Sequence, residues 1–438
     1  MGLAAIDGRA LYRKISWRLI PYMFLLYIVN YLDRVNVGFA AMDIQRDLHF
    51  SNTVYGMGAG IYFLGSALFD LPSNLILTRV GARVWMARIM ISWGVISTCM
   101  MFMHSKESFY VLRFLLGASE AGFFPGMIIY LTYWFPTHER GRAVARFMTA
   151  TSLAGVVGGP LSSAVLRMDG LHGLAGWQWL FLTEGVPTIL LGSSVLFLLK
   201  DHPDDATWLS TEEKAWLDAE LRRDGERYGA ATRHRLGDAF KLPALWVLAG
   251  AYFVSQVGVY IVNLWMPLIL SSFSHGRVDA SLIDRYATLP YLAAAVMTVV
   301  VGWSSDKRNE RRWHIAGCLI LSAVGFAWAA MAHGMVIALC AMTLAAVGLW
   351  SMMGPFWTLT TSMLGGTAAA GAVAILQIVG GVGGFTGPYM TGRLRDATHS
   401  FSGGLWVISA MAVGAAMLAL AVRRPKAAGI ERGQELLQ

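Results

Sequence analysis

The stretch Tyr31-Leu-Asp-Arg-Val-Asn-Val-Gly-Phe39 places an acid, Asp33, and a base, Arg34, side by side inside a long apolar segment at about residues 16–41. Residues 21–29 lead into it without a charge. Such a segment has the length of a membrane-spanning helix, about 20 residues. A charge at the centre of a bilayer costs from about 2.5 kcal/mol upward, so intramembrane charges mark functional sites by default. The stretch therefore predicts a membrane helix that carries a charged site.

The composition indicates a protein with many membrane spans. The chain has 438 residues, of which 56% are hydrophobic and 14% charged, and its mean hydropathy is +0.52. An ordinary soluble domain is about 25% charged. The net charge of +8 would suit nucleic acid, but the basic residues lie in short loops between apolar segments. Membrane topology accounts for them better, so we expect a lipid bilayer and no nucleic acid as the partner.

Apolar segments of spanning length recur twelve times. Basic residues are concentrated in the loops after the second, fourth and eighth segments, so we expect both termini in the cytoplasm. The membrane we expect is a bacterial inner membrane. The predicted spans are residues 16–41, 52–77, 83–103, 108–134, 140–166, 177–199, 242–272, 284–304, 313–332, 335–363, 368–392 and 401–422.

A hydrophilic stretch divides these spans into two sets of six. It contains Ser210 followed by Glu213, which predicts a capping box at the start of a helix. The expected regions are an N-terminal six-helix bundle with the charged site (1–199), a cytoplasmic linker (200–240), a C-terminal six-helix bundle (241–424) and a cytoplasmic tail (425–438).

The two halves repeat at a separation of 228 residues. This shift pairs Arg79 with Lys307 in corresponding basic loops, and Pro160 with Pro388, each of which follows a glycine. One shift that relates two independent features favours duplication of a six-helix unit. Many secondary transporters are built this way, with the substrate site at mid-membrane between the repeats. The predicted fold is an all-α integral membrane protein with twelve transmembrane helices in two bundles.

Ionisable residues in the interiors of the predicted spans are confined to the first half. The 228-residue shift carries Asp33 onto Ile261, so the charges are not relics of the repeat. This asymmetry predicts a charge-handling half that faces a neutral, polar half. The interior charges of the first half are Asp33, Arg34, Asp70, Arg113, Glu120 and Glu184, with Arg88 near a span end.

Helical spacing limits which of these charges meet. Arg113 and Glu120 are seven residues apart and so share one face of the fourth span. Asp33 and Arg34 diverge by about 100°. If the first and fourth spans face one cavity, either Arg34 pairs with Glu120 or Asp33 pairs with Arg113. A carboxylate that alternates between a cation and a proton can couple proton movement to transport. Purely structural ion pairs are the alternative.

The second half offers neutral groups for the same cavity. Asn263 lies in the seventh span, Trp357 in the tenth and Gln377 in the eleventh. A buried amide needs a hydrogen-bond partner, so we expect Gln377 to face the cavity. A helix–helix hydrogen bond is the alternative for it. In the first span, Asn30 lies on nearly the same face as the charged pair.

Charges near the cytoplasmic ends predict a gate. Asp70 lies near the inner end of the second span, and Arg79 and Arg83 follow it. For Glu184 two interpretations stay open: a hydrogen bond to nearby backbone, or a functional role.

The sequence contains no enzyme constellation. Its histidines lie near span ends without metal-ligand spacing, and there is no phosphate-binding loop and no G-x-S-x-G. We therefore predict no enzyme activity, no metal and no cofactor.

Three motifs resemble the anion:cation symporter family of the major facilitator superfamily. They are the Tyr31–Phe39 stretch, Leu71-Pro-Ser-Asn-Leu75 with Gly81-Ala-Arg83, and Arg113-Phe-Leu-Leu-Gly-Ala-Ser-Glu-Ala-Gly-Phe-Phe-Pro125. The resemblance covers nearly the whole chain.

The resemblance implies roles for particular residues. Asp33 and Glu120 would take up protons, and Arg34 would contact a substrate carboxylate. Arg113 would support or switch with Glu120, and Tyr31 would line the site. The family often has Asn at the position of Gln377, so the identity of the substrate does not follow from the resemblance.

These expectations describe a monomeric, proton-coupled importer of a small organic anion that works by alternating access. The anion would be a hydroxy-dicarboxylate such as tartrate, or a sugar acid. The alternatives are an importer of an aromatic carboxylate, a proton-driven exporter and a transporter-like receptor. Arg34 and Arg113 argue against an exporter of cationic drugs but not against export of anions.

Overall fold

The computed structural model describes residues 6–229, 242–274, 278, 280–362 and 366–421, and every regular element in them is helical. In the first half the helices are α1 (Gly8–Phe39), α2 (Ala41–Leu48), α3 (Asn52–Val80), α4 (Ala82–Cys99), α5 (Lys106–Glu120), α6 (Phe123–Thr132), α7 (Thr137–Leu166) and α8 (Gly176–Leu198), and α9 (Thr211–Gly229) forms the linker. In the second half they are α10 (Pro243–Ser274), α11 (Ala280–Tyr286), α12 (Leu289–Arg308), α13 (Arg312–Ala330), α14 (Met335–Ser351), α15 (Met353–Ser362), α16 (Gly366–Thr398) and α17 (Ser402–Ala421). Three short 3₁₀ turns cover Met100–Phe102, Leu171–Gly173 and Pro203–Asp205.

The helices confirm the predicted membrane fold. Eleven of them, with the broken ones joined, are long and apolar enough to cross a membrane, and α7 adds a shorter apolar segment, Leu153–Leu166. The 30 residues of α7 make a helix of about 45 Å, so its charged first part extends beyond that apolar segment. The fourth, eighth and tenth spans each consist of two consecutive helices.

The same pairs of neighbouring spans recur in the two halves. In the first half α1 packs on α7, α3 on α5 and α4 on α8. In the second half α10 packs on α16, α12 on α14 and α13 on α17. In span numbers these are pairs 1–5, 2–4 and 3–6, followed by 7–11, 8–10 and 9–12. The repeated pairing supports duplication of a six-helix unit.

The two halves meet closely at the end of the molecule where α1 ends. The Tyr55 hydroxyl donates to the carbonyl of Val37 at 3.0 Å and lies 2.9 Å from the carbonyl of Leu264, in the other half. A Cβ added at Gly38 would lie 2.4 Å from the Asn263 carbonyl oxygen. Helices α1 and α10 therefore touch backbone to backbone at this end, and the Tyr55 side chain ties α3 to both.

Helices α3 and α16 form the longest contact between the halves. A Cβ at Gly56 would lie 2.3 Å from the Pro388 carbonyl oxygen, and one at Gly392 would lie 2.2 Å from that of Asn52. Asp396 completes the contact, because its carboxylate accepts the backbone N–H groups of Asn52 and Thr53 at the start of α3. The small residues allow the close approach.

The contact between α3 and α16 runs along one face of α3. The face that carries Gly56 meets α16 as far as Ala67, where a Cβ on Gly381 would lie 2.9 Å away. One turn further, Leu71 on the same face of α3 is 59% exposed, and Ile378 on α16 is 48% exposed. Among the described residues the contact therefore closes the molecule where α3 begins and is not continued at the end of α3.

Part of the predicted linker is a helix that docks on the first half. The capping box is confirmed, because the backbone N–H of Glu213 donates to the Ser210 hydroxyl and that of Ser210 to the Glu213 carboxylate. Lys14 of α1 binds Glu213 at 2.7 Å. Asp224 accepts the backbone N–H of Thr137 at the start of α7. The predicted tail, residues 425–438, and residues 230–241 of the linker region lie outside the described residues.

The second half also contains a buried carboxylate at a span end. Asp284 in α11, the first residue of the predicted eighth span, is only 2% exposed. Its backbone carbonyl lies 2.7 Å from the position of a Cβ on Gly159 of α7. The absence of a side chain at Gly159 therefore lets α7 and α11, from the two halves, approach closely.

Candidate functional site

The centre of the first half holds an ion pair between the first and fourth spans. The Arg34 guanidinium donates through Nη2 to Oε1 of Glu120, and Asn30 donates to the same oxygen at 2.7 Å. The Glu120 side chain is buried, whereas the Arg34 side chain keeps 23% of its surface exposed. Of the two pairings that the spacing left open, the structure selects Arg34 with Glu120.

The pair leaves hydrogen-bonding capacity unused. Oε2 of Glu120 and Nε of Arg34 are buried, and neither forms a hydrogen bond with any part of the chain that the structure describes. Arginine binds a carboxylate most strongly through two parallel N–H donors. Glu120 uses one of them, so the Nε donor of Arg34 is left without a partner among the described residues.

Asp33 lies on the other side of α1 and binds no cation directly. Its carboxylate accepts hydrogen bonds from Nε1 of Trp93 at 2.9 Å, from the Ser97 hydroxyl, and from Nδ2 of Asn36 at 3.2 Å. The residue is fully buried. The alternative pairing of Asp33 with Arg113 does not form here; neutral donors hold Asp33 instead.

Arg113 is buried against α3. Its guanidinium stacks on Tyr62, with Cζ 4.8 Å from the ring centroid, and donates to the carbonyls of Gly58 at 3.4 Å and Ala59 at 3.3 Å. Arg34 lies over the same ring at 5.9 Å. Tyr62 therefore separates the two guanidinium groups that the sequence singles out, and Arg113 is not in contact with Glu120 in this conformation.

Tyr31 and Asn263 lie where the halves meet. Both are buried, and Oδ1 of Asn263 accepts a hydrogen bond from the Tyr291 hydroxyl at 2.8 Å. Its backbone carbonyl also forms the close contact with Gly38. In this conformation Asn263 joins α10 to α12 and to α1. Its predicted contact with substrate stays a prediction.

Two of the three predicted neutral residues of the second half, Trp357 and Gln377, both contact Tyr252. The Tyr252 hydroxyl donates to Oε1 of Gln377 at 3.2 Å, and the Tyr252 ring meets the Trp357 ring edge to face at 5.5 Å. The Arg34 guanidinium is among the groups that influence the Tyr252 hydroxyl electrostatically, so this cluster and the Arg34–Glu120 pair belong to the same interior.

The predicted gate residues are not brought together. Asp70 accepts the backbone N–H of Gly122 at 2.7 Å, and Gly122 has a left-handed φ of 83° that ends α5 just after Glu120. Arg83 contacts Asp201 through its backbone N–H at 2.8 Å and its guanidinium at 3.7 Å. Arg79 is exposed at the end of α3. Their gating role stays a prediction.

Sequence reasoning missed several neighbours of the charged residues. Trp93 and Ser97 lie four residues apart on one face of α4, and this spacing was the available signal for a shared target. Tyr62 had no such signal, because tyrosines are common in apolar spans and its position between two arginines depends on how α1, α3 and α5 pack.

Comparisons with known proteins decide the family. The model of the Major Facilitator Superfamily matches residues 23–388. The chain belongs to this superfamily. A relative from Agrobacterium vitis named "Putative tartrate transporter" is 42% identical over 97% of this chain and 94% of its own length. The Pseudomonas putida "Putative metabolite transport protein NicT" is 40% identical, with 94% of each chain covered.

A solved structure of the superfamily shows the same fold. It is described as the inward open conformation of the xylose transporter XylE from E. coli, and it matches with a TM-score of 0.76 at 15% identity. The match covers 96% of this chain and 99% of XylE. The chain is thus a multi-pass membrane transporter of the Major Facilitator Superfamily, and its relatives support a small organic anion as the cargo class.

Proposed function

We propose that this protein is a monomeric, proton-coupled importer of a small organic anion in a bacterial inner membrane, of the anion:cation symporter type. The proposed cargo is a hydroxy-dicarboxylate such as tartrate, or a sugar acid. One observation carries the proposal. Arg34 holds a single carboxylate partner, Glu120, through one arm of its guanidinium, while its Nε has no hydrogen bond within the described chain.

The coupling follows from competition for Arg34. A substrate carboxylate and the Glu120 carboxylate both favour this guanidinium, and they repel each other when both are ionised. A proton on Glu120 removes that repulsion and frees the donor that Glu120 occupies. Arg34 then binds the substrate in forked geometry. Proton and anion are therefore favoured together, which is the requirement for symport.

The second half supports recognition of a hydroxylated anion. Gln377 and Tyr252 supply an amide and a hydroxyl to the same interior as Arg34. A site built to hydrogen-bond hydroxyl groups discriminates strongly against analogues that lack them, because its polar groups are left unpaired. The name of the Agrobacterium vitis relative supports tartrate as the first compound to test.

The shape supports alternating access. The α3–α16 contact closes one end of the molecule, and we infer that the opposite end, which carries the linker helix, is the open one. With the termini in the cytoplasm, as loop charge predicts, this conformation faces inward. Import then requires the α3–α16 contact to open and the opposite ends to close around Arg34 and its cargo.

The test is uptake of radiolabelled tartrate into proteoliposomes with an imposed pH gradient, acidic outside. Arg34→Ala is expected to abolish both binding and uptake. Glu120→Gln is expected to retain exchange of internal for external substrate and to lose pH-driven accumulation, because glutamine resembles the protonated acid permanently. Accumulation by Glu120→Gln against the substrate gradient would show that Glu120 does not couple the proton.

An aromatic carboxylate is a second candidate cargo, favoured by the rings beside Arg34. Besides Tyr62, the rings of Phe63 and Tyr260 lie 3.9 Å apart at the meeting of α3 and α10. A thermal-shift panel of hydroxy-dicarboxylates, sugar acids and aromatic acids separates the classes, since a ligand well above its Kd stabilises by mass action. If only aromatic acids stabilise the protein, the proposed cargo becomes an aromatic carboxylate instead of tartrate. If only cations stabilise it, the proposal that the cargo is an anion is refuted.

A further inference from the structure

A buried carboxylate in the first half is not used by the mechanism above. Glu184 lies on α8 and is 8% exposed. Its Oε2 accepts a hydrogen bond from Nδ2 of Asn36 at 2.8 Å. Its Oε1 is buried and forms no hydrogen bond with the described residues. A carboxylate with half of its acceptors unsatisfied is costly to bury in the charged form.

The same amide reaches a second carboxylate. Nδ2 of Asn36 also donates to Oδ1 of Asp33 at 3.2 Å, so Asn36 on α1 joins Asp33 on its own helix to Glu184 on α8. Two carboxylates that share one donor repel each other when both are ionised, and the repulsion is strong in a low-dielectric interior. The pair is stable when one of the two is protonated.

The surroundings favour ionisation of Asp33. Asp33 receives two further hydrogen bonds, from Trp93 and Ser97, and it interacts with the charge of Arg113. Within the described part of the chain, Glu184 receives only the bond from Asn36. Hydrogen bonds to the charged form and a nearby cation both favour ionisation. The proton therefore belongs on Glu184.

No cation on the helices around Glu184 offsets its charge. Among the residues described, α8 packs against α1, α2, α4 and α7. From α1 the facing ionisable group is Asp33. Beside Gly185, the next residue of α8, α4 places Gly94 and Thr98, neither of which is ionisable. The turn Met100–Phe102, which also packs on α8, contains no ionisable residue. The charges of α2 pair among themselves, with Arg46 bound to Asp43 and Asp47. The charged residues of α7 precede its apolar segment, Leu153–Leu166.

We propose that Glu184 is a second proton-binding residue, which shares one proton with Asp33 through Asn36 and holds it in this conformation. A proton on Glu184 leaves two buried carboxylates, Asp33 and Glu120, opposite two guanidinium groups, Arg34 and Arg113. The interior of the first half is then neutral before cargo arrives.

Asn36 is suited to both protonation states. Its Oδ1 is buried and forms no hydrogen bond with the described chain. Nδ2 can keep both of its hydrogen bonds when Glu184 is protonated, because a protonated carboxyl group retains a carbonyl oxygen that accepts. Movement of α1 during the transport cycle changes the distances to both. Asn36 thereby links the proton on Glu184 to the charge of Asp33.

The proton itself is testable without any substrate. Infrared difference spectra of the full-length protein in lipid nanodiscs, recorded while pH is raised from about 5 to about 9, report the C=O band of protonated carboxyl groups. We expect a band that disappears as pH rises and that is lost in Glu184→Gln. Glu107→Gln, which removes an exposed carboxylate next to Lys106, is expected to keep it. An unchanged titrating band in Glu184→Gln would overturn the proposal.

Two further measurements keep the test decisive. If Glu184→Gln does not fold, carbon-13 labelling of the glutamate carboxyls in the Glu120→Gln protein assigns the band. A band that shifts with this label supports Glu184, and one that does not shift overturns it. Asn36→Ala breaks the link between the two carboxyl groups and is expected to shift the pH at which the C=O band disappears. A band that disappears at the same pH as in the wild type would refute sharing of the proton through Asn36.

The role in transport rests on the proposed function and has its own readout. The readout is exchange of internal for external substrate in the Glu120→Gln background, where Glu120 does not titrate, and this exchange is expected to fall as rising pH removes the proton from Glu184. With Glu184→Gln added, exchange is expected to persist at pH values where the Glu120→Gln protein has lost it. An identical fall in both proteins would refute a transport role. Failure of the wild type to move any acid would refute the proposed function and leave the infrared result standing.

Discussion

Replacing Gly392 with alanine is expected to force open the closed end of the molecule. The added Cβ would lie 2.2 Å from the carbonyl oxygen of Asn52, and Cβ atoms essentially never approach closer than 3.0 Å. The obstacle is backbone, which cannot rotate away as a side chain can. Helices α3 and α16 must therefore separate by at least about 0.8 Å, the difference of those two distances.

The energetic cost can be bounded. Inserting a methyl group into a well-packed contact costs about 1–3 kcal/mol. Since about 1.4 kcal/mol is a factor of ten in an equilibrium constant, the closed conformation loses roughly 5- to 150-fold in relative population. The corresponding distance from an added Cβ to the nearest backbone oxygen of α16 is 2.3 Å at Gly56 and 2.8 Å at Gly60. The expected order of effect is therefore Gly392→Ala, then Gly56→Ala, then Gly60→Ala.

The assay is thiol accessibility of a cysteine introduced at Thr53, at the closed end, in a background without Cys99, Cys318 and Cys340. Faster labelling reports opening. Gly302→Ala is the matched control, because a Cβ there meets nothing within 4 Å. Gly117→Ala, whose Cβ would lie 1.9 Å from the Tyr62 carbonyl oxygen within one half, tests overpacking without a gate. Equal labelling rates in Gly392→Ala and Gly302→Ala would refute the idea that the α3–α16 contact keeps this end of the molecule closed.

Three further outcomes are expected. Asp396→Ala removes the acceptor for backbone N–H groups at the start of α3. Losing such a cap costs about 0.5–2 kcal/mol, so thiol labelling at the closed end should become faster. An unchanged labelling rate would contradict the capping role. The hydrogen bond from Lys14 lowers the pKa of Glu213 in the folded protein. The Lys14–Glu213 pair therefore stabilises the docked α9 fully at pH values above the ordinary pKa of a glutamate. This stabilisation is lost as pH falls through the lowered pKa of Glu213. Glu213→Gln should raise hydrogen exchange in residues 211–229 at neutral pH, with at most about 1 kcal/mol at stake; equal exchange in both proteins would argue against it. Asp70→Ala leaves the buried N–H of Gly122 without its acceptor, which costs about 1–3 kcal/mol, and a thermal unfolding midpoint equal to that of the wild type would count against this contact.

Length, composition and periodicity were sufficient for the fold class. Twelve apolar segments, a hydrophilic linker and a repeat at a fixed separation specify two six-helix bundles, because the bilayer leaves a chain of this composition few other ways to satisfy its backbone. The charges at Asp33, Arg34, Arg113 and Glu120 were also evident from sequence, since each interrupts a segment that must lie in hydrocarbon. The break after Glu120 was not, because it depends on the φ of Gly122 and on a carboxylate from another helix.

The partners of those charges depended on tertiary structure. Helical periodicity sets the direction of a side chain around its own axis, but not the rotation and depth of one helix against another. The sequence therefore left Arg34–Glu120 and Asp33–Arg113 equally open, and the packing of α1 against its neighbours selected the first. The same packing brings Glu184 to Asn36, 148 residues away. Sequence determined which charges lie in the membrane; the arrangement of the helices decided which of them meet.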